Sequence, residues 1–368
     1  MDFKVTNSFS RENLNYEVGT VKNIHYGDIH TKFQTLFDIT NETVPYINEE
    51  LNIEKIAEQN YCEEGDIIFA DASEDLLDVG KSIEIVNLNK EKLLSGLHTL
   101  LARPEKGIFC LGFNGHLFKS NFVRTQIQKE AQGTKVLSIN TGRISKIDLS
   151  YPDIKEQAKI TLLLSLIDER IQTQNKIIEE LTLLKNTLRY LLFEQILIED
   201  IKLVSIKDVL NYEQPTKYLV SDTDYSSDAS KIPVLTANKS FVLGYTNEKF
   251  GIYDKGECII FDDFTMDLKF VDFPFKVKSS AIKILTPKLN VNLRFVFEYL
   301  CFMNLSSTDH KRHYISEIES TEIKLPNIKK QNFVAIFLSN IDNKIKTEFE
   351  IYSQLNTQKQ YLLSKLFI

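Results

Sequence analysis

From Ile160 the apolar residues Leu164, Ile167, Ile171, Ile178, Leu181 and Leu188 follow a rhythm of alternating four- and three-residue steps. That rhythm is the narrow seam of a coiled coil rather than the wider stripe of a helix lying on a globular core. No glycine or proline stands between Asp153 and Gln214, so nothing there breaks a helix. The rhythm returns near the end of the chain at Val334, Leu338, Ile341, Ile345, Tyr352, Leu355 and Leu362. A slide of 174 residues lays Pro152 on Pro326, Gln157 on Gln331, Asp168 on Asp342, Lys185 on Lys359 and Phe193 on Phe367, and 16 of the 42 positions from Pro152 to Phe193 are then identical without a gap. Polar residues interrupt the seam at Gln174 and Lys185 and, in the second copy, at Glu348 and Lys359. Such residues cost stability but fix register and partner. Each helix, at about 39 residues, would be roughly 58 Å long. Two helices of that kind in one chain most simply pair with each other. Pro152 and Pro326 sit just ahead of them, where a missing N–H costs nothing.

The remaining sequence has another texture. Residues 1–151 mix short strand patterns with turns: Glu63-Glu64-Gly65 feeds the apolar run Ile67–Ala70, and Val136–Ile139 follows the turn at Gln132–Lys135. Leu93–Leu101 and Phe118–Glu130 have helix-compatible spacing. In residues 199–325, Lys255–Thr265 echoes Glu64–Asp71, with Ile67–Phe69 on Ile259–Phe261 and Asp71 on Asp263 at an offset of 192. The repeat unit is therefore domain plus helix: domains at 1–151 and 199–325, helical regions at 152–198 and 326–368. The expected class is α+β, with two globular domains separated by two long antiparallel coiled-coil helices in a pseudo-twofold duplication. No helix–strand alternation suggests a doubly wound sheet.

Composition narrows the picture only slightly. With 43% hydrophobic and 26% charged residues, the 368-residue chain has the balance of an ordinary soluble protein. Neither a signal-peptide core nor a membrane-length apolar run is present. Cys62, Cys110, Cys258 and Cys301 lie far apart and read as free thiols of a reducing cytoplasm. The net charge of -7 conceals a split: residues 1–80 carry -12 and residues 81–150 carry +6. A basic segment inside an acidic chain is the kind of asymmetry that marks an electrostatic footprint.

The sequence offers little for catalysis. GxGxxG, GxxxxGK[ST] and the Asn/Asp-Pro-Pro-aromatic motif of adenine methyltransferases are all missing. Asp262, Asp263, Asp267 and Lys269 superficially suggest a metal-dependent nuclease, but the first copy offers only Asp71 there and no lysine partner. An acidic turn that caps backbone N–H groups or accepts from cytosine amino groups is the better reading. His310 and His313 make half a metal site at most, and the run from Asp309 to His313 reads better as a basic loop meeting phosphates. The candidate DNA contacts in the first domain are Arg11, Asn13, His25, Tyr26, His30 and Lys32, with Arg103, Lys119, Arg124, Lys129 and Lys135 from the basic segment. In the second they are Asn238, Lys239, Tyr245, Asp263, Thr265, Lys269, Lys276, Lys278, Lys311, Arg312 and His313. Helix and subunit contacts are expected at Gln157, Leu164, Ile167, Ile171, Leu181, Gln331, Leu338, Ile341, Ile345 and Leu355. An interaction scaffold that reads no DNA is the alternative of another class.

The helix starts LSYPDIKEQAKITLLLSLIDERI and IKLPNIKKQNFVAIFLSNIDNKI resemble the specificity subunits of type I restriction–modification systems, in which a proline, a glutamine and then Leu-Ser-x-Ile-Asp-x-x-Ile open each conserved helical region. The ends Leu192-Phe193 and Leu366-Phe367 match the family's manner of closing a repeat, and IHYGDIHTKF, IPVLTANKSFVLGYT and HKRHYISEIESTEIKLP are similar to its target-recognition text. One departure is the lead-in Ile201–Val209 of the second domain, for which the first has no counterpart. The resemblance implies a cytoplasmic, nucleoid-associated protein of a bacterium or archaeon that reads a split, asymmetric site on double-stranded DNA and catalyses nothing itself. It implies two modification subunits bringing S-adenosylmethionine, and restriction/translocase subunits bringing ATP and Mg²⁺. No cofactor, metal or membrane is expected on this chain.

Overall fold

A computed structural model describes residues 1–237, 240–306 and 313–367. The chain divides into two compact units, Met1–Asn175 with Glu350–Ile368, and Lys176–Phe349. Each unit thus holds one domain, the first half of the helix that follows it and the second half of the other helix.

In the first unit β1 (Asp2–Lys4), β2 (Leu36–Asp38), β3 (Ile67–Ala70), β4 (Ser82–Asn87) and β5 (Thr99–Arg103) form a sheet of order β1-β5-β3-β4-β2. The pairings are antiparallel except β2 with β4. Every residue of β3 is buried because both faces of the sheet are covered. Ile67 and Phe69 face Phe113, Leu117, Val123 and Ile127. Ile68 and Ala70, pointing the other way, join Phe37, Ile83, Ile85 and Leu101. A second sheet combines Leu14–Asn15, Tyr46–Ile47, Val21–Ile24 and Lys92–Ser95. The helix expected over Leu93–Leu101 is instead two short strands joined by a turn, Lys92–Ser95 in the second sheet and β5 in the first, whose apolar run is largely buried and so lacks strand alternation. At Gly96 a Cβ would stand 2.6 Å from the Ile24 carbonyl oxygen, so only glycine fits the turn. Helices α1 (Tyr26–Thr31), α2 (Phe113–Leu117) and α3 (Ile154–Ile198) complete the set used below.

In the second unit β6 (Leu203–Ser205), β7 (Leu210–Glu213), β8 (Cys258–Asp262), β9 (Leu268–Val271), β10 (Ile282–Pro287), α4 (Leu293–Phe302), β11 (Glu322–Lys324) and α5 (Ile328–Lys365) follow in turn. The central sheet has the order β7-β10-β8-β9, which repeats β1-β5-β3-β4 strand for strand. The lead-in forms β6, paired antiparallel with β11, and sends Ile206 and Val209 into the core.

The long helices contain 45 and 38 residues. Asp153 and Asn327, equivalent in the repeat, cap them: their Oδ1 atoms accept from the N–H groups of Glu156 and Lys330 at 3.1 and 3.0 Å. In the first unit Ile160 and Leu164 of α3 share a core with Leu363 of α5 and Phe367 just beyond its end, and Lys359 pairs with Asp168. In the second unit Phe193 of α3 shares a core with Val334 and Leu338 of α5, and Lys185 Nζ lies 2.7 Å from Asp342. Each pairing is antiparallel, and the two ion pairs are images of one another under the repeat. Lys185 and Lys359, two of the residues that interrupt the seam, are therefore register pins.

Gln157 and Gln331, expected among the helix and subunit contacts, are both buried and tie each helix to its own domain. Gln157 Oε1 accepts from the Cys110 N–H at 2.9 Å and its Nε2 donates to the Pro152 carbonyl at 2.9 Å. Gln331 Oε1 accepts from the Asn292 N–H at 2.9 Å and its Nε2 donates to the Pro326 carbonyl at 2.7 Å. Truncation strands a buried backbone donor, so Gln331→Ala is expected to cost about 1–3 kcal/mol. Urea unfolding checks this; an unchanged midpoint would show that the bond is dispensable.

Candidate nucleic-acid interface

The candidate contacts of the first domain split into two groups. Arg11, His25, Tyr26, His30 and Lys32 gather on and around α1. Arg11 forks onto Asp28 at 3.0 and 2.9 Å, and Lys32 Nζ meets the same buried carboxylate at 3.0 Å. His25 caps α1, its Nδ1 accepting from the Gly27 N–H, and burial beside Arg11 lowers its pKa. The Tyr26 ring lies 4.7 Å from His25 and 6.1 Å from His30, centroid to centroid. His30 Nε2 is 3.0 Å from the Ala72 carbonyl oxygen. Asn13 is nearby in sequence but donates to Ser10 Oγ.

The basic segment does not form a patch. Arg103 is committed to Asp66, through two 2.8 Å bonds, and to the Tyr61 carbonyl at 2.8 Å. Arg124 donates to the carbonyls of Leu77, Val79 and Gly80 at 2.8, 2.7 and 3.0 Å. Both guanidiniums tie loops to the sheet, so neither is a free phosphate contact. Lys119 is half-buried and its ammonium is pushed down to about 7 by burial and by neighbouring Lys81 and Lys359. Of the five candidates from this segment, only Lys129 and Lys135 are exposed.

In the second domain Lys276 is fully buried, its Nζ on Glu248 and the Phe250 carbonyl at 2.8 Å each. Asp263 is equally committed: Oδ1 accepts from the N–H groups of His313 and Tyr314 at 3.1 and 2.8 Å, and Oδ2 lies 3.1 Å from Lys283. His313 is buried with Nδ1 3.1 Å from Glu317. These three serve the fold rather than a nucleic acid, because burial without their partners would cost several kcal/mol per charge. Lys278 and Thr265 are exposed, Tyr245 and Lys269 half-buried, and the Thr265 hydroxyl donates to Asp267. Asn238, Lys239, Lys311 and Arg312 lie outside the described residues. Among the described residues no group of three or more His, Cys, Asp or Glu is placed to hold a metal, and no helix is long and apolar enough to cross a membrane.

A duplicated α+β domain with a long helix after each copy is also what known proteins show. The family model for the type I restriction modification DNA specificity domain matches the chain twice, over residues 13–183 and 198–357. The chain belongs to this type I restriction–modification DNA specificity family.

Each family match runs across a domain and into its helix, so the helix belongs to the specificity domain itself. The chain is 45% identical over 133 residues to the type I restriction enzyme EcoR124I/EcoR124II specificity subunit of Escherichia coli, a match covering 34% of this chain and 33% of that one. It thus spans about a third of that relative's length. Identity to the putative type I restriction enzyme MjaX specificity subunit of Methanocaldococcus jannaschii is 26% over 334 residues, covering 82% of this chain and 77% of the relative. The crystal structure of the S subunit of a type I restriction–modification system from M. genitalium shares the fold, with a TM-score of 0.61 at 15% identity over 100% of this chain and 93% of that one. A chain solved in work on assembly and conformational transition of the type I system gives a TM-score of 0.53 at 14% identity, over 93% and 89% of the two chains.

Sequence reasoning missed one residue that the structure brings to the group around α1. His98, on the turn ahead of β5, places its ring 5.2 Å from Tyr26. Its only sequence signal was the Gly-Leu-His turn.

Proposed function

We propose that the chain is a non-catalytic DNA-reading subunit in which residues 1–151 and 199–325 each read one half of a split, asymmetric site on double-stranded DNA. The observation that carries this is the repetition of one domain frame with different polar residues on it. One scaffold dressed two ways suits two half-sites of different sequence. Exposed apolar positions also repeat along the helices: Ile154 and Ile328 are 47% and 40% exposed, Leu162 and Ile336 both 61%. They suit two like partners, read here as two modification subunits that would bring S-adenosylmethionine. Restriction/translocase subunits would bring ATP and Mg²⁺ to the same complex, placing the chain with DNA in the cytoplasm.

A nuclease reading is disfavoured by Asp263, whose carboxylate is already used by Lys283 and two backbone N–H groups. The test is to co-express the chain with its modification subunits and map methylated adenines across a genome. A two-part motif is expected, and exchanging residues 199–325 for those of a relative should change one half only. A contiguous or symmetric motif, or one indifferent to the exchange, would refute the function.

A further inference from the structure

At the end of β3 and the start of β5 the two units share one backbone frame and fill it differently. In the first, the Asp71 N–H donates to the His98 carbonyl at 3.0 Å and the Ile139 N–H donates to the Asp71 carbonyl at 2.8 Å. In the second, the Asp263 N–H donates to the Ala281 carbonyl at 3.0 Å and the His313 N–H donates to the Asp263 carbonyl at 3.0 Å. Asp71 therefore corresponds to Asp263, and His98 to Ala281. Asp263 is consumed by internal partners. Asp71 has no such partners, because Leu100 stands where Lys283 does, as the strand registers show. Its carboxylate turns to His98, Oδ1 to Nδ1 at 3.1 Å, with the side chains 26% and 52% exposed. A histidine–aspartate pair is not something this frame requires, since the second unit closes it with alanine.

Two further features single the pair out. His98 sits at φ +54°, left-handed backbone that Ala281 does not share. Such a residue costs of order 1 kcal/mol and gathers at functional sites. The pair also completes the cluster around α1: the His98 ring stands edge-on to Tyr26 at 5.2 Å, the ring that His25 and His30 also meet, with Arg11 and Lys32 on Asp28. This end of the sheet lies opposite the one where Gln157 holds α3, since β5 runs from Thr99 beside the cluster to Arg103, and Gln157 bonds Ile108 and Cys110 beyond it. With Nδ1–H donated to Asp71, the His98 ring presents Nε2 as an acceptor on the side facing away from the carboxylate. A ring acceptor held in one tautomer by a carboxylate suits an exocyclic amine on a base edge in the major groove.

We infer that His98, positioned by Asp71, reads one base of the half-site recognised by residues 1–151, its Nε2 accepting from cytosine N4 or adenine N6. This rests on the DNA-reading function above. The test uses the full chain in complex with its modification subunits and measures binding to duplexes altered one base pair at a time across both half-sites. His98→Ala, His98→Asn and Asp71→Asn should each reduce discrimination about ten- to hundred-fold at one amine-bearing position. Every other position, the second half-site included, keeps its ratio and reports that the chain is folded. Whether the sensitive base is cytosine or adenine tells the two amines apart. Unchanged ratios in all three variants overturn the inference. So does a sensitive position in the half-site that follows residues 199–325 on exchange, and so does equal loss at both half-sites in all three. A wild-type complex without a two-part site would instead sink the DNA-reading function itself.

Discussion

Glu298→Ala should destabilise the second unit by about 3 kcal/mol, near the lower end of the cost of removing one partner from a buried charge cluster. The Glu298 carboxylate is fully buried on α4. Its Oε1 lies 3.0 Å from Lys185 Nζ and its Oε2 lies 2.8 Å from Arg189 Nε, both on α3. Arg294, one turn earlier on α4, stands 3.5 Å from the same carboxylate and also pairs with Asp342 of α5. One carboxylate thus joins a domain helix to both long helices. Without it Lys185 and Arg294 share only Asp342 and Arg189 is left on Asn186, and the surface around them is too closed for water to compensate fully. The residual pairing with Asp342 keeps the loss from being larger. Chemical unfolding with a probe in residues 176–349 measures it, and a shift under about 0.5 kcal/mol, the level of an exposed pair, would show that the cluster is ornamental.

The first unit underlines what Glu298 adds. Gln157 and Gln331 dock at Cys110 and Asn292, and by that register His116 occupies the place of Glu298. His116 is buried with no partner on either ring nitrogen, and burial beside Lys359 and Lys119 pushes its pKa down to about 3. It therefore stays neutral and contributes packing rather than charge. The two ends of the repeat keep one ion-pair register but are secured by different chemistry.

How far the chain could be read in advance follows from the range of the interactions. The helices were legible because a seam is a local pattern, and the duplication because it is a comparison of the chain with itself. Their polar interruptions were visible as repeated residues, but the partners Asp168 and Asp342 were not, since pairing depends on how two remote segments register. The same limit explains the cations. Nothing near Arg103 in sequence announces Asp66, and Arg124 is held by carbonyls more than forty residues away. A basic stretch counts charge without saying which charges the fold has already used. The two strands across Leu93–Leu101 were missed for another reason: burial on both faces removes the alternation by which a strand is recognised.

Removing one heptad from each long helix, between Asp168 and Lys185 and between Asp342 and Lys359, should abolish methylation at the wild-type spacing while leaving both half-site sequences as they are. The cut keeps every seam position in phase, because seven residues are the period of the seam. It also keeps both ion pairs, which lie outside the removed segments. Each unit therefore retains its own core, and the unfolding midpoints are expected to move little. What changes is the length of helix between the domains, by about 10 Å at 1.5 Å per residue. On B-form DNA that is about three base pairs of rise at 3.4 Å each, a step that also turns the second half-site by roughly a quarter to a third of a revolution about the duplex, given about 10.5 base pairs per turn. Two domains fixed on a shortened pair of helices could not follow both changes at the original site. Genome-wide mapping of methylated adenines should then show at least a tenfold loss at wild-type sites, with any remaining motif carrying the same half-sites closer together. Methylation persisting at the original spacing would mean that something other than these helices sets the distance.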